Sequence, residues 1–480
     1  MSHRGTWATA AGAALICALL AGCSLAPGYH RPSDPEVPQY KEIAGWTQAA
    51  PSTAGSGPWW QVFGDAKLND LETRLQDGSP DLRAAFERFE QARAVALSAR
   101  SNQFPSLSAG ASATRGRASL NGPAYAGPGE TGNEFIASLN LAWEIDVFGR
   151  LRNAAAAAGA RAQASAADLA AVNLSLQAEL ATDYFNLRGD DAVIRLLADS
   201  VETFHHASEM TTQRYQVGTA AATDVDQAQT LEQNARAELA ATRLQRAQLE
   251  HAIAVLLGLP PAAFTLAAAP LTAEPPAIDV GLPSTLLQRR PDVASAERAV
   301  FAANADIGVA RAAWFPVFSL QSAALGVESL SSATWLSAPS RFWSVGPAAS
   351  LPLLDAGARV AVNRQARASY EESVANYRRT TLTAYQEVED NLAALHFLSD
   401  QQNADEAAAK AAQSAAYHAD ERYAAGVADY VEVTTTHTTA LQAQSAALVS
   451  RTQRVDAAVA LVRALGGGWS ASTPVTQGTP

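Results

Sequence analysis

An internal repeat constrains this chain more than any other feature of its sequence. RYQVGTAAATDVDQA begins at Arg214, and RYAAGVADYVEVTTT begins 208 residues later, at Arg422. Other pairs recur in the same order at spacings of 208 or 211 residues: Pro80-Asp81 with Pro291-Asp292, Phe104-Pro105 with Phe315-Pro316, Gly149 with Gly357, and Leu257-Gly258 with Leu465-Gly466. Because landmarks that keep both order and spacing indicate a duplication, we predict two homologous halves.

Long stretches without proline predict the main elements of each half. Both stretches, from Pro128 to Pro260 and from Pro352 to Pro474, are rich in alanine, glutamine, glutamate, arginine and leucine, which favour helices. We expect opening helices at about 68–100 and 286–312, long helices at about 150–214 and 359–422, and return helices at about 224–257 and 430–465. A helix of about 65 residues is on the order of 100 Å long, which no compact single core requires.

Four other segments alternate apolar and polar residues, which is the period of a strand. They lie at about 104–117, 133–146, 315–328 and 342–354. Each is about as long as a tilted strand that crosses a bilayer, with its polar face toward a lumen. Membrane barrels need at least about eight strands, and an open edge in lipid leaves backbone groups unpaired. The chain must therefore oligomerise, and both a dimer and a trimer satisfy this argument.

The N-terminus has the features of a lipoprotein signal. Arg4 precedes an apolar run, Ala8 to Leu20, that is too short to span a bilayer as a helix. The run ends in Leu20-Ala21-Gly22-Cys23, which matches the bacterial lipobox, so we expect cleavage before Cys23 and acyl chains on that residue. An ordinary secretory signal with an incidental cysteine is the alternative. Ser24 follows rather than aspartate, so nothing is expected to hold the lipoprotein at the inner membrane.

Composition restricts the classes of function. The second cysteine, Cys17, lies in the segment that is removed, which leaves no disulfide and no Cys-based metal site. The formal charge of −12 argues against nucleic acid as a partner. The histidines follow no metal-binding pattern, and nucleophile-elbow and phosphate-loop motifs do not occur. We therefore expect no enzyme and no cofactor other than the covalent lipid on Cys23.

These patterns divide the chain into successive parts and define its fold class. We expect a signal peptide at 1–22, an extended N-terminal tether at 23–64, a first structural repeat at 65–258, a proline-rich equatorial connector at 259–285, a second repeat at 286–466 and a C-terminal tail at 467–480. The expected fold class is mainly α with a small membrane β part.

In combination, these features resemble the TolC-like outer-membrane efflux factors, and more narrowly the lipoprotein branch with the OprM and NodT types. The resemblance covers essentially the whole mature chain. It rests on the lipobox, Tyr29-His30-Arg31-Pro32, the duplicated strand hairpins, the stretch DVFGRLR from Asp146 to Arg152, and the paired Arg-Tyr-x-x-Gly turns. It implies long α-helical hairpins that form a periplasmic tunnel, and four strands per chain in a 12-stranded trimeric β-barrel. The implied location is the outer membrane, lipid-anchored, with a long periplasmic extension.

The resemblance also implies partners and a function. The homotrimer, set in outer-membrane lipid, would be the exit duct of a tripartite efflux system, as in multidrug resistance. It would pass small molecules or drugs from an inner-membrane transporter of the RND type and a periplasmic adaptor (membrane fusion) protein to the exterior. Two alternatives stay open: the duct of a type I protein secretion system, and a non-conducting coiled-coil scaffold lipoprotein. A scaffold would have no use for strands of bilayer length.

The first set of predicted site residues lies at the two Arg-Tyr-x-x-Gly turns. Each turn ends a long helix, where glycine supplies a conformation that other residues resist. By resemblance, the adaptor-docking tips are Val217, Gly218 and Thr219 in the first half and Ala425, Gly426 and Val427 in the second.

A second set of residues is implied for the periplasmic aperture: Tyr423, Asp429, Glu432 and Asp224, the last of these 208 residues before Glu432. Ala428 stands where the family often has an arginine, so Tyr423 and Asp429 would carry more of the latch that closes the aperture. The alternative is that Asp224 and Glu432 are first-turn acids stabilised by the helix dipole, and both roles can hold together.

Overall fold

The computed structural model describes residues 24–33, 37–43, 58–117, 119, 131–278, 280 and 283–469. The expected signal peptide, the acylation site Cys23 and residues 470–480 of the expected tail lie outside the described residues. The chain divides into two compact units. Unit 1 consists of Met1–Ser33, Arg88–Ser165 and Ser295–Arg378, and unit 2 of Asp34–Glu87, Ala166–Ala294 and Arg379–Pro480.

The described residues form helices and strands in an order that repeats. The elements are α1 (Ala66–Gly78), α2 (Pro80–Ser101), β1 (Ser106–Arg117), β2 (Thr131–Ile145), α3 (Arg150–Gln216), α4 (Ala222–Leu256), α5 (Pro283–Arg289), α6 (Pro291–Ala312), β3 (Val317–Ser329), β4 (Arg341–Ser344), β5 (Pro347–Ser350), α7 (Ala358–Ala424) and α8 (Tyr430–Ala464). The predicted fold class, mainly α with a small β part, is confirmed.

The long helices of the two halves have equal lengths. Helices α3 and α7 have 67 residues each, and the return helices α4 and α8 have 35 each. All four begin and end within two residues of the predicted positions. Because good helix formers fill both stretches and proline does not interrupt them, local preference alone sets these bounds. Among the described helices, none is apolar over a long enough stretch to cross a membrane.

The opening helices differ from the prediction, since each is broken near its start. The expected helix at 68–100 is α1 followed by α2, and the expected helix at 286–312 is α5 followed by α6. Pro80 and Pro291 are the first residues of α2 and α6. Proline lacks the N–H that would continue a preceding helix but fits the first helical position, so one helix ends and another begins there.

The strands form one antiparallel sheet in the order β1-β2-β3, with β4 and β5 both paired to β3. The register aligns Ala109 with Leu139, Leu139 with Leu325, and Leu325 with Trp343. One residue away, Ser108 lies opposite Asn140. Because successive side chains point to opposite faces, one face of the sheet is apolar and the other largely polar, as the alternation predicts. Strands β1 and β4/β5 are the edges.

The prediction of one continuous strand at 342–354 is wrong. Two short strands, β4 and β5, take its place, with Val345 and Gly346 between them, and residues 351–354 are not in a strand. The pairing of β2 with β3 shifts between Leu141 and Trp143, which marks a bulge at the same level. Pro347 cannot donate a ladder hydrogen bond, so it is tolerated only at such an edge position.

The described parts of the expected tether are packed against the rest of the chain rather than free. In unit 1, the Ser24 hydroxyl donates to Asn153 Oδ1 at 2.9 Å, and Asn304 donates to the Pro27 carbonyl at 3.0 Å. In unit 2, Trp59–Phe63 forms a 3-10 helix in which Trp59 donates to Gln177 at 3.0 Å. The label "tether" is therefore wrong for Trp59–Phe63, whose aromatic rings are buried.

The connector that follows α4 is held in unit 2 by two arginines. Arg188 of α3 donates to the Ala267 carbonyl at 2.7 Å, and Arg246 of α4 donates to the Leu266 carbonyl at 2.6 Å. The buried Asp191 carboxylate accepts from both guanidinium groups, at 3.0 and 2.7 Å. Buried charges are tolerated when they are paired in this way, so these contacts fix an irregular segment that has few ladder bonds of its own.

Candidate functional site at the two hairpin turns

The turns that end α3 and α7 have the same geometry. Gly218 and Gly426 adopt positive φ angles of 76° and 73°. In the first turn the Thr219 amide donates to the Arg214 carbonyl at 2.8 Å, and in the second the Val427 amide donates to the Arg422 carbonyl at 3.0 Å. This is a Schellman motif, in which a left-handed glycine lets two amides cap the last helical carbonyls. The repeated Arg-Tyr-x-x-Gly sequence is thus a repeated helix stop.

The predicted tip residues are exposed at these turns. Val217 and Val427 are 74% and 67% exposed, and Tyr215 is 50% exposed. Nothing lies within 4 Å of the position that a Cβ would occupy on Gly218 or Gly426. The two turns therefore present apolar side chains on an open backbone, a surface that a partner protein can cover.

The three acids expected at the aperture have different partners. The Asp224 carboxylate accepts from the Ala221 amide at 3.3 Å, a local contact at the start of α4. Asp429 is the residue before α8, and its side chain caps no amide there. Glu432, in the first turn of α8, forms an ion pair with Arg422 at 3.3 Å. Asp224 and Glu432 thus both lie in the first turn of a return helix, and Glu432 has in addition a cationic partner on α7.

An ion pair between Arg422 and Glu432 crosses the second turn, for which the sequence offered Tyr423 and Asp429 as the residues of a latch. In the second half Arg422 stands immediately before Tyr423, and its guanidinium reaches across the turn from α7 to α8. The pair is partly exposed, with 56% of the arginine and 37% of the glutamate side chain accessible, so its contribution to stability is small, on the order of 0.5 kcal/mol.

Tyr423 and Tyr430 link the two hairpins. The Arg214 guanidinium of α3 lies 5.1 Å from the centroid of the Tyr423 ring, which meets the Tyr430 ring edge-on at 5.2 Å. Tyr430 is buried among Ala228, Ala419 and Val433 and lies near Thr211 of α3. Burial raises the pKa of the Tyr430 phenol, so the hydroxyl stays neutral and available as a hydrogen-bonding group.

A second contact layer lies farther from the turns. His437 of α8 contacts both carboxylate oxygens of Asp420 on α7, at 2.9 and 3.0 Å, and its ring meets Phe204 of α3 edge-on at 5.6 Å. His205 of α3 contacts the buried Glu232 of α4 at 3.1 Å. Each hairpin is therefore joined across its two helices by one histidine–carboxylate contact. In the described part of the chain, no three histidine, cysteine or acidic side chains come together as a metal site would require.

The sequence predicted the turns and the acids but not their partners. Arg214 and Arg422 belong to the repeat motif, and their position one residue before a tyrosine was visible, but only as a marker of the turn. Their contacts with Tyr423 and Glu432 depend on which helices are neighbours in space, which one sequence does not reveal. The contact of Tyr423 with Tyr430 has no counterpart in the first half, where Ala222 stands 208 residues before Tyr430, and we find no signal in the sequence that would have predicted it.

Comparison with known proteins gives a consistent result. A family model for outer membrane efflux proteins matches residues 72–259 and 282–467. The chain is 32% identical over 466 residues to the probable efflux pump outer membrane protein TtgC of Pseudomonas putida, which covers 96% of both chains. It is 30% identical over 462 residues to the cation efflux system protein CusC of Escherichia coli, over 95% of this chain and 97% of that one.

A solved structure of the outer-membrane channel OprN superposes with a TM-score of 0.87 at 30% identity, over 93% of this chain and the whole of that one. The family model matches once in each half of the internal repeat, and the relatives match along nearly the full length. The expected resemblance to TolC-like outer-membrane efflux factors is thereby confirmed. By sequence and by fold, the chain belongs to the outer membrane efflux protein family.

Proposed function

We propose that this protein is the outer-membrane duct of a tripartite efflux system and acts as a channel rather than as an enzyme. The observation that carries the proposal is the pairing, in each half, of a membrane-type strand hairpin with a 67-residue helix and a 35-residue return helix. The strands supply a bilayer-spanning wall and the helical hairpins extend it. A scaffold would need only the helices.

The edges of the sheet support an oligomer that shares one barrel. Strands β1 and β4/β5 each have one side without a partner in the single chain. Backbone groups on such a side cannot stay unpaired in lipid, so β1 of one copy pairs with β4/β5 of the next. Three copies close a barrel of twelve strand positions, in line with the family. In mild detergent the purified protein should have the mass of three mature chains, and a monomer would contradict the shared barrel.

The turns are where an adaptor would dock. Val217 and Val427 project from the two tips with most of their surface accessible, and both tips have the same backbone geometry. A periplasmic adaptor with a repeated binding element could therefore contact both. We assign the adaptor-docking role to Val217, Gly218, Thr219, Ala425, Gly426 and Val427, and expect an inner-membrane transporter of the RND type to deliver the cargo through that adaptor.

Asp429 and Glu432 are assigned to the periplasmic aperture. They stand at the start of α8, three residues apart, next to the second tip. In a trimer each would give a ring of three carboxylates, which favours cations. The Arg422–Glu432 pair, the Arg214–Tyr423 contact and the packing of Tyr423 against Tyr430 would hold this end closed. Asp224 contributes mainly by fixing the start of α4.

Ion selectivity in planar bilayers tests both the channel and the aperture. The wild-type protein should give discrete conductance steps with a preference for cations, whereas a non-conducting scaffold would give none. The double variant Asp429→Lys and Glu432→Lys should shift the preference toward anions, because six charges per trimer would change sign at a narrow mouth. Glu421→Lys, an exposed charge on α7, is the matched control. Unchanged selectivity in the double variant would remove these acids from the aperture.

The cargo class is proposed from the relatives. TtgC is named as an efflux pump component and CusC as part of a cation efflux system, which supports efflux of small solutes over protein secretion. The lipobox at Cys23 supports a lipid-anchored outer-membrane location. Loss of drug tolerance on deletion of the gene, restored by the wild-type protein, would support small-molecule efflux, whereas failure of a large secreted protein to appear outside the cell would support the type I alternative.

A further inference from the structure

A groove lies between α2 and α3 in unit 1, beside the sheet. Its volume is about 460 Å³, and both of its walls come from the same chain. Its lining combines small residues with two cations, and includes Leu97, Arg100, Arg152, Ala155, Ala156 and Gly159. A Cβ built on Gly159 would meet nothing within 4 Å. The described residues of the chain therefore do not fill this space.

The charge of the groove is positive. Arg100 lies in the last turn of α2, and among the described residues no carboxylate is within ion-pair distance of it. Arg152 has partners already, since its guanidinium donates to the Asp146 carboxylate at 3.2 Å and to the Asp146 carbonyl at 3.1 Å. Arg100 thus supplies charge that is not compensated, and Arg152 is held in a fixed orientation at the other side. Two such groups suit a phosphate, which accepts several charge-assisted hydrogen bonds.

The groove lies near the end of the sheet where β1 begins and β2 ends. Strand β1 begins at Ser106 and β2 ends at Ile145, close in sequence to Arg100 and Arg152 respectively. Gln103, which also lines the groove, accepts a hydrogen bond through its carbonyl from the Trp143 indole at 3.1 Å. Trp143 lies on the apolar face of β2, two residues from Leu141. Tryptophans of this kind sit at the headgroup level of a bilayer.

The N-terminal segment lies close to Arg152, one of the residues that line the groove. A Cβ built on Gly149 would lie 3.3 Å from the Ser24 Cα and 3.6 Å from Arg152 Nη2. Ser24 directly follows the proposed acylation site, whose lipid must enter the bilayer near its own backbone. Two independent features, the Trp143 indole and Ser24, therefore place Arg152 at the membrane surface.

We propose that this groove binds the headgroup of one anionic phospholipid of the bilayer per chain. The phosphate would lie between Arg100 and Arg152, the rest of the headgroup over Ala155 and Gly159, and the acyl chains along the apolar face of the sheet. The proposal rests on the outer-membrane location of the sheet, but not on the identity of the adaptor, the transporter or the cargo. Because both walls belong to one chain, every chain of the assembly carries a complete site.

Native mass spectrometry of the purified assembly, with phosphatidylglycerol as the probe, tests the site. The wild-type protein should retain one phosphatidylglycerol per chain and much less phosphatidylcholine. Arg100→Gln should lower the retained fraction about tenfold, the effect of losing one charged hydrogen bond. Gly159→Leu should lower it as well by filling the groove, because a Cβ at this position meets nothing within 4 Å. Arg88→Gln, an exposed charge on the same helix outside the groove, is the control.

The outcomes separate this site from the channel function. If Arg100→Gln and Gly159→Leu retain as much phosphatidylglycerol as the wild type, or if Arg88→Gln loses as much as they do, the groove is not a lipid site. Equal retention of phosphatidylcholine and phosphatidylglycerol would likewise overturn the role given to the arginines. Conductance measured on the same preparations reports on the channel alone, so a conducting protein that retains no lipid refutes only this proposal.

Discussion

Glu72 offers a sharp test of the energetics of unit 2. It lies in α1 with no exposed surface, and neither of its carboxylate oxygens has a hydrogen-bond partner among the described residues. Burial raises the pKa of this carboxyl from its ordinary 4.5 to about 9, so the group is neutral in the folded protein at pH 7. In the unfolded chain it is ionised at that pH.

The difference in protonation destabilises the fold at neutral pH. For a carboxyl whose folded pKa is raised, stability is fully present below the unfolded pKa and is lost as pH rises toward the folded pKa. Between pH 4.5 and pH 7 the loss is about 3 kcal/mol, at about 1.4 kcal/mol per pH unit. Glu72→Gln keeps the shape of the neutral acid and does not titrate. It should therefore raise the free energy of unfolding by about 3 kcal/mol at pH 7 and leave it nearly unchanged at pH 4.5.

Urea unfolding in detergent at both pH values measures this difference. Tryptophan fluorescence is a suitable signal, because Trp59 and Trp60 are buried in the 3-10 helix that packs against α1. Glu87→Gln is the matched control, since Glu87 is exposed and pairs with Arg83 at the surface. Its effect should stay within about 0.5 kcal/mol at either pH. A Glu72→Gln protein that is less stable than the wild type at pH 7 would mean that Glu72 is ionised and paired, and would refute the reasoning.

Three further predictions concern the turns and the N-terminus. Gly218→Val should lower the melting temperature, because a β-branched residue at φ 76° costs about 1–2 kcal/mol, whereas Gly159→Ala should not; equal effects would contradict the strain argument. Tyr423→Leu removes the ring that Arg214 and Tyr430 contact, worth about 0.5–1 kcal/mol for the cation–π contact, and should raise the open probability in planar bilayers; an unchanged value would show that this ring does not hold the aperture closed. Cys23→Ala should give a mature protein without acyl mass, and a wild-type protein that already has the bare polypeptide mass would disprove lipidation.

Local sequence preference predicted an element correctly where no second local signal opposed it. The stretches free of proline fix the long helices to within two residues, and the alternation of Leu139 and Leu141 with Asn140 fixes the faces of the sheet. Where the apolar periodicity and a proline point to different structures, the prediction from the sequence was wrong. Periodicity continues across Pro80 and Pro291, but the missing amide ends the helix at each. Alternation likewise continues across Gly346 and Pro347, where the strand is interrupted.

At the candidate site, the sequence predicted local features but not contacts between helices. Gly218 and Gly426 could be predicted, because a repeated glycine after a helix has one local explanation. The partners of Glu432 and Tyr423 could not, because Arg422 and Arg214 reach them through space. The contact of Asp224 with Ala221 could be expected from the position of the acid at the start of α4, because it needs no tertiary information. A site that consists of contacts between helices can be identified only when the packing of the helices is known.

The equal lengths of the two long helices limit how this chain can change. One residue inserted into α3 would advance everything beyond it by about 1.5 Å and rotate it by about 100° around the helix axis. Arg214 would then no longer lie over the Tyr423 ring, and Thr211 would turn away from Tyr430. A compensating insertion in α7 would be needed at the same time, and each return helix would have to grow with its partner. Duplication has thus tied the four helices together as two pairs of equal length, 67 and 35 residues, so viable variants in this protein should be substitutions in the helices and length changes only in the loops.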